Sequence, residues 1–164
     1  MIHKNLEYLP LSEGYLEFVR VCRNYFRFRL LDNRKISSQQ QRDWFSKLNR
    51  EEDKYFVVKE GETLIGFTSC KIDKRQKNAE VGIILDKDQC HKGYGHKIIQ
   101  FLKHYGFEKK KLNRLWITVL ETNKDTLFIW ERAGWKREGV LREACYTEGK
   151  FVDIHVAGIL RKDV

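Results

Sequence analysis

The chain has 164 residues, of which 41% are hydrophobic and 13% aromatic, so it can bury a core without disulfides or metals and is not a disordered chain. Lysine and arginine number 32 against 23 aspartates and glutamates, which gives a formal net charge of +9. Such a charge favours an anionic partner: nucleic acid, an anionic membrane surface or a small ligand rich in phosphate. Composition alone does not choose among these three.

Membrane insertion and export are both disfavoured by the sequence. The longest aliphatic run, Val81 to Leu85, is interrupted by Gly82 and is too short to span a membrane. The first residues, Met1 to Glu7, carry no apolar stretch after their charges, so we expect no secretory signal. We therefore expect a soluble, cytoplasmic chain.

The cysteines carry no metal or redox motif. They are far apart and form no C-x-x-C pair, so we expect reduced thiols and no bound metal. The four are Cys22, Cys70, Cys90 and Cys145.

The pattern of apolar residues predicts one domain over residues 1–164, because no linker, repeat or low-complexity tract interrupts it. A serine followed three residues later by a glutamine, from Ser37 or Ser38, is a capping box that starts the second helix. The apolar strand Leu115–Leu120 is expected to be buried on both faces. In chain order, the expected elements are strand Glu7–Leu9, helix Glu13–Asn24, helix Ser38–Leu48, strand Tyr55–Val58, strand Leu64–Cys70, strand Ala79–Leu85, helix Tyr94–Glu108, strand Leu115–Leu120, helix Lys124–Ala133, and the hairpin Gly139–Thr147 with Phe151–Leu160.

This order of elements indicates the fold class. Strands that follow one another early in the chain and alternate with helices later predict an α/β (α+β) protein with a mixed sheet.

The loop between Leu85 and Lys97 is the strongest candidate for chemistry. A strand ends, Gly93 and Gly95 follow, and an amphipathic helix begins, so backbone N–H groups at the helix N-terminus can cradle an anion. Lys92 adds positive charge. The alternative is an ordinary connection between a strand and a helix, and the spacing matches neither the P-loop nor the Rossmann glycine pattern.

The same loop resembles a motif of the GNAT superfamily of N-acetyltransferases, Gln/Arg-x-x-Gly-x-Gly/Ala. Here the motif reads Cys90 to Gly95, with cysteine in the Gln/Arg place. A second family block, Asn-x-x-Ala/Ser-x-x-x-Tyr-x-x-x-Gly-Phe, is similar to residues 123–135. Its matching positions, together with those of the closing hairpin, are Asn123, Thr126, Trp130, Gly134, Trp135 and Gly149–Asp153. The resemblance covers nearly the whole chain.

The resemblance implies a single-domain acyl-CoA N-acyltransferase fold. In that fold a mixed, mostly antiparallel sheet is flanked by helices, and two strands splay apart at the cofactor site. It implies acetyl-CoA as co-substrate, no metal, and direct transfer of the acetyl group to a primary amine. The residues it assigns to the cofactor are main-chain groups of Ile83, Ile84 and Leu85, amides of Cys90, His91, Lys92, Gly93, Tyr94, Gly95 and His96, and Asn123.

The resemblance also implies catalytic positions. An amine of pKa about 10 is protonated at neutral pH and needs a base, and Glu80 is the candidate general base. There are two alternatives: a water relay removes the proton, or Glu80 is an exposed strand residue with no catalytic role. Trp130 occupies the usual acid-tyrosine place, but an indole N–H is not an acid, so we expect it to pack beside the sulfur. Cys90 at a helix N-terminus raises a ping-pong alternative through its thiolate.

The acceptor amine is open to several interpretations. Arg23, Arg27 and Arg29 lie in a basic stretch interleaved with aromatic residues, where they could bind a nucleotide diphosphate or form a solvated face. Nearby residues resemble N-acetyltransferases of UDP-linked 4-amino sugars, and this nucleotide-sugar substrate is the leading expectation. The residues are Arg23-Asn24, Ile36-Ser37, Gln41 and Trp44-Phe45.

The ending Gly149–Asp153 is equally similar to ribosomal-protein N-terminal and polyamine acetyltransferases. A polyamine calls for an acidic pocket, which the basic stretch does not supply. A non-enzymatic nucleic-acid binder is the alternative from another class, and it does not need the glycine loop or the Asn123 block. The family resemblance also allows a homodimer.

Overall fold

The computed structural model describes residues 6–164, so most of the segment on which the export expectation rests lies outside the described residues. Seven strands form one sheet in the order β1-β2-β3-β4-β5-β7-β6. The strands are β1 (Glu7–Pro10), β2 (Asp53–Glu60), β3 (Thr63–Asp73), β4 (Asn78–Leu85), β5 (Arg114–Leu120), β6 (Lys136–Thr147) and β7 (Lys150–Leu160). The α-helices are α1 (Leu16–Tyr25), α2 (Ser38–Ser46), α3 (Tyr94–Lys103) and α4 (Lys124–Arg132).

Every pair of neighbouring strands is antiparallel except β4 and β5. A parallel pair needs a crossover connection, and here α3 supplies it. The expected mixed, mostly antiparallel sheet with flanking helices is confirmed.

The two faces of the sheet bury separate apolar clusters. Alternate strand residues point to opposite faces, so one face packs against α3 and α4 and the other against α1 and α2. On β4, for example, Val81 packs in the α3/α4 cluster, whereas Ile84 packs against the α1/α2 cluster. We call the second face the α1/α2 face.

Strands β4 and β5 pair over only three residues each. Their register runs from Asn78 opposite Arg114 to Glu80 opposite Trp116, although β4 continues to Leu85 and β5 to Leu120. Beyond Glu80 the two strands diverge, and the splayed strand pair is confirmed. We call this divergence the fork.

Local signals in the sequence correctly placed several boundaries. Ser37 caps α2, with its side chain accepting from the Gln40 amide at 3.2 Å while Gln40 closes the capping box. Gly134 follows α4 with φ +93°, the left-handed conformation that favours glycine. At the final hairpin, Glu148 and Gly149 are both left-handed, as a tight turn requires.

Several details differ from the expectation, three of them in the helices. Helix α1 begins at Leu16, after a short 3₁₀ turn, and α2 ends at Ser46. The third helix changes to a π-helical segment, His104–Lys109. There Gly106 lies so close to β5 that an added Cβ would meet Leu115 Cδ2 at 2.7 Å. This close packing of helix on strand accompanies the local change of helical period.

Strand β5 is not buried on both faces. Ile117 and Val119 are buried on the α3/α4 side, whereas Trp116 and Thr118 are half-buried on the other. The expectation was wrong because the α1/α2 face stays partly open where β5 passes the fork.

Within residues 6–164, no helix is long and apolar enough to cross a bilayer. All four cysteines are free thiols.

Helix α2 carries one polar side chain on its buried stripe. Gln41 is only 3% exposed, and within the described residues its Oε1 has no hydrogen-bond partner. A buried amide oxygen without a hydrogen-bond partner lowers stability by about 1–3 kcal/mol. An apolar side chain of similar size does not carry this cost.

We expect Gln41→Leu to raise the free energy of unfolding by about 1 kcal/mol, because it removes the unpaired amide. Gln40→Leu is the matched control on the same helix. It should lower stability by about 0.5–1 kcal/mol because the capping box is lost. Urea unfolding of both variants measures this, and a destabilised Gln41→Leu protein would contradict the assignment.

Candidate active site

The glycine loop borders a cleft with a volume of about 240 Å³, which we call the loop cleft. It is walled by the end of β4, the start of α3, helix α4 and the segment after α1. The expected cofactor residues that line it are Ile83, Ile84, Leu85, Cys90, His91, Gly93, Tyr94, Gly95, His96 and Asn123. Lys92 is not among them, and its Nζ contacts Gln89 Oε1 at 3.2 Å instead.

Two left-handed residues shape this loop. His91 has φ +61° and Gly93 has φ +82°, and Gly93 is the N-cap of α3. A β-carbon at Gly93 would meet nothing within 4 Å, so the space above the helix N-terminus is open. The first amides of a helix have no partner within the helix, and they carry a partial positive charge. The arrangement therefore suits an anion such as a pyrophosphate.

A second cleft, of about 170 Å³, lies between the diverging strands, and we call it the fork cleft. It shares Arg29, Asn123, Thr126 and Trp130 with the loop cleft. Past Glu80, the backbone groups of β4 that face β5 have no strand partner there. They are available to a ligand that lies between the strands.

A third cleft, of about 620 Å³, lies under α2 on the α1/α2 face, and we call it the α2 cleft. Leu30, Phe67, Ser69 and Ile84 line both it and the fork cleft. Leu30 and Ile84 line all three clefts, so the loop cleft, the fork cleft and the α2 cleft adjoin one another.

The α2 cleft is basic. Its lining contains five cationic side chains and two carboxylates, a net charge of +3. Arg23 and Arg34 both pair with Asp32, at 3.1 and 2.8 Å. The remaining charged residues of the lining are Lys35, Lys47, Lys71 and Asp43.

Glu80 lies on the α1/α2 face at the fork. Its Oε1 accepts a hydrogen bond from the Thr118 hydroxyl at 3.3 Å. Lys71 is directly opposite it on β3. Burial raises the pKa of Tyr55 above its ordinary value, and the carboxylates of Asp53 and Glu80 add to the shift, so the phenol stays protonated.

Trp130 is 4% exposed and lines both the loop cleft and the fork cleft. Its ring packs edge-on against Trp135, with 4.5 Å between the ring centroids. The side chain therefore forms an apolar wall where the two clefts meet.

A model of the acetyltransferase (GNAT) family matches residues 13–135. The chain belongs to this family. N-acetyltransferase p20 of Bacillus licheniformis, itself described as uncharacterized, is 28% identical over 108 residues, which cover 65% of this chain and 61% of that relative. The chain thus spans less than two thirds of p20.

Two further relatives match almost end to end. The ribosomal-protein-serine acetyltransferase of Escherichia coli is 25% identical over 170 residues, which cover 92% of this chain and 94% of that protein. The crystal structure of spermidine N-acetyltransferase from Vibrio cholerae in complex with CoA and spermine has a TM-score of 0.91 at 23% identity, covering 96% of both chains. The GNAT fold is confirmed.

Most of the expected cofactor residues line the loop cleft, whereas the three candidate arginines lie in different places. Arg29 lines the loop and fork clefts. Arg23 reaches the α2 cleft, yet its guanidinium is engaged by Asp32 and by the carbonyls of Asp32 and Arg34. Arg27 lines none of the three clefts and lies over the Phe28 ring at 4.1 Å. The structure thus leaves only Arg29 both close to the fork and without an ion pair among the described residues.

Cys90 does not have the features of an activated nucleophile in this GNAT site. Its thiol points to the Asp86 carbonyl, 3.5 Å away, and burial raises its pKa despite the opposing charge of Arg29. A neutral thiol at pH 7 disfavours the ping-pong alternative.

Asn123 is the N-cap residue of α4, and its side-chain Oδ1 accepts from the Thr126 hydroxyl at 2.9 Å. This fixes the amide at the wall shared by the loop and fork clefts.

Sequence reasoning missed Ser69, Lys71 and Thr118. Side chains alternate between the two faces along β3 and β5, and this alternation places the three residues on the face of Glu80. The sequence could not predict that they share its face, because this depends on the register of the strands in the folded sheet.

We expect Gly93→Asp to weaken acetyl-CoA binding at least 100-fold, because it adds negative charge to the anion site and strains a left-handed position. At 100 times the wild-type Kd, acetyl-CoA should stabilise the wild type by about 2.7 kcal/mol and the variant by less than about 0.5 kcal/mol. Thermal unfolding with and without acetyl-CoA measures both values. Gly61→Asp is the control, since Gly61 is also left-handed, at φ +62°, but lies in the turn between β2 and β3 and does not line the loop cleft.

We expect Trp130→Phe to keep kcat within about threefold of the wild type, because neither ring can donate a proton at accessible pH. Steady-state kinetics measures this. A loss of 10²-fold or more, with the KM for acetyl-CoA unchanged, would instead indicate that the indole acts directly in the chemical step.

Proposed function

We propose that the protein is an acetyl-CoA-dependent N-acetyltransferase that moves the acetyl group directly to a primary amine. The observation that carries the proposal is that three adjoining clefts share lining residues at the fork. A coenzyme entering from the loop cleft and an amine entering from the α2 cleft would reach the same point.

The residues at these clefts fit acetyl-CoA. The loop amides and the N-terminus of α3 would bind the pyrophosphate. The unpaired backbone groups of β4 from Val81 to Leu85 would bind the amides of the pantetheine arm and the thioester. Backbone N–H groups held at fixed positions suit this reaction, because attack on a thioester develops an oxyanion.

The amine must lose a proton before it attacks, since an alkylammonium of pKa about 10 is about 0.1% free base at pH 7. Glu80 is the carboxylate nearest the fork on the acceptor side, and we assign it the role of base. The departing thiol has a pKa near 8.5, so it leaves without needing a strong acid. This is compatible with Trp130 in place of tyrosine.

We propose an acceptor that carries an anionic group, with a nucleotide-linked amino sugar as the leading candidate. The support is the basic lining of the α2 cleft, where Lys35 and Lys47 would bind a diphosphate as point charges. A polyamine would meet repulsion in the same cleft, although polyamine acetyltransferases share the fold.

The second candidate acceptor is the α-amine of a protein. It is favoured by the match to the ribosomal-protein-serine acetyltransferase over 92% of this chain. The homodimer and the cytoplasmic location stay predictions.

Thiol release from acetyl-CoA tests the proposal. The panel contains a UDP-linked 4-amino sugar, peptides with free N-termini, and spermidine. We expect release with the amino sugar, less with peptides and least with spermidine. The proposed enzymatic function would be refuted if acetyl-CoA does not stabilise the protein and no amine of the panel causes thiol release. That result would favour the nucleic-acid alternative.

We expect Lys47→Glu to lower kcat/KM for the UDP-linked amino sugar about tenfold or more and to raise it for spermidine, because the α2 cleft loses two units of positive charge. The same assay measures both values. Lys109→Glu is the matched control: it makes the same change in net charge in the π-helical segment and should alter neither. An equal effect of both variants would contradict local recognition by the cleft.

A further inference from the structure

Glu80 lies at the start of the fork but does not line any of the three clefts. It is the last residue of β4 that pairs with β5, and it is absent from the linings of the loop, fork and α2 clefts. Thr118 does line the fork cleft. An acceptor amine at the fork therefore meets the threonine before it meets the carboxylate.

The contact between the two residues follows from the register of the strands. Trp116 lies opposite Glu80, and Thr118 comes two residues later on the same face of β5. The previous pair along the strands makes the same kind of contact, because the Trp116 indole N–H donates to Asn78 Oδ1 at 3.2 Å. In both cases a β5 side chain donates to the β4 side chain diagonally across from it, and the bond from Thr118 Oγ1 to Glu80 Oε1, at 3.3 Å, is the second of the two.

We infer that Thr118 is a proton relay between the acceptor amine in the fork cleft and the Glu80 carboxylate. This inference rests on the proposed acetyltransferase function. The threonine hydroxyl accepts a proton from the ammonium nitrogen while its own proton passes to Glu80 Oε1.

The relay leaves a free amine, an intact hydroxyl and a protonated carboxyl group. The nitrogen lone pair then forms the C–N bond as the C–S bond breaks. The second N–H proton leaves after attack, and the departing thiolate takes it up.

Charged and titratable groups of the neighbouring strands surround Glu80. Lys71 faces it from β3, Tyr55 from β2 and Thr118 from β5, and Asp53 lies opposite Lys71 on β2. Burial raises the pKa of Tyr55, so its phenol stays protonated and does not compete as a base. Among these groups, Glu80 is the carboxylate to which the Thr118 hydroxyl donates.

The test compares Thr118→Val, Thr118→Ser, Glu80→Gln and the double variant Thr118→Val with Glu80→Gln. Valine keeps the shape of threonine and removes the hydroxyl, whereas serine keeps the hydroxyl. Thr63→Val, at the exposed start of β3, is the control. The measured quantity is kcat/KM from pH 6.5 to 9.5 for the amine of the panel with the highest rate.

We expect Thr118→Val and Glu80→Gln each to lower kcat/KM about 10²-fold at pH 7, and the double variant to lose little more. The deficit should shrink at least tenfold by pH 9.5, because the amine then loses its proton to solvent. Thr118→Ser should recover most of the rate, and Thr63→Val should match the wild type.

Several results would overturn the relay. A deficit of Thr118→Val that does not change with pH indicates a structural role, and equal losses for serine and valine do the same. Full activity of Thr118→Val beside an inactive Glu80→Gln indicates direct contact of Glu80 with the amine. If the wild type transfers acetyl to no amine, the proposed function fails and the relay fails with it. If the wild type is active, only the relay is in question.

Discussion

The loss of pairing between β4 and β5 after Glu80 is the constraint on which the site depends. Within residues 6–164 the two strands are the only parallel neighbours in the sheet, and they are joined through α3 rather than by a tight hairpin. Their divergence creates the fork cleft and leaves backbone groups of β4 without partners. It also joins the glycine loop on one side to the α2 cleft on the other.

Part of the positive charge of the chain lies at the loop cleft and at the α2 cleft. At the loop cleft, the helix N-terminus and Arg29 favour the phosphates of a coenzyme. The α2 cleft has more cationic side chains than carboxylates in its lining, including Lys35, Lys47 and Lys71. Asp32 neutralises part of the charge of Arg23 and Arg34. The α2 cleft therefore holds part of the net positive charge of the chain, at a place where an anionic acceptor would bind.

The α1/α2 face explains why polar residues lie in the middle of a sheet. Ser69 faces Gly82 closely enough that a Cβ there would lie 3.1 Å from its hydroxyl oxygen, so glycine keeps the approach to the fork open. Glu80 and Thr118 lie beside this opening and satisfy each other. The α3/α4 face carries the larger core cluster, to which the same strands contribute Val81, Ile117 and Val119.

The sequence by itself determined the order of the elements and the glycine loop before α3, because both depend on local chemistry. Ser37 and Gln40 define a cap, Gly134 a helix end, and Gly93 with Gly95 a loop at a helix N-terminus that we propose as the anion site. Only the tertiary structure decided which side chains meet. Arg23, Arg27 and Arg29 are alike in sequence, yet one is tied to Asp32, one stacks on Phe28, and one reaches the fork. Thr118 meets Glu80 across 38 residues because strand register, a non-local property, brings them together.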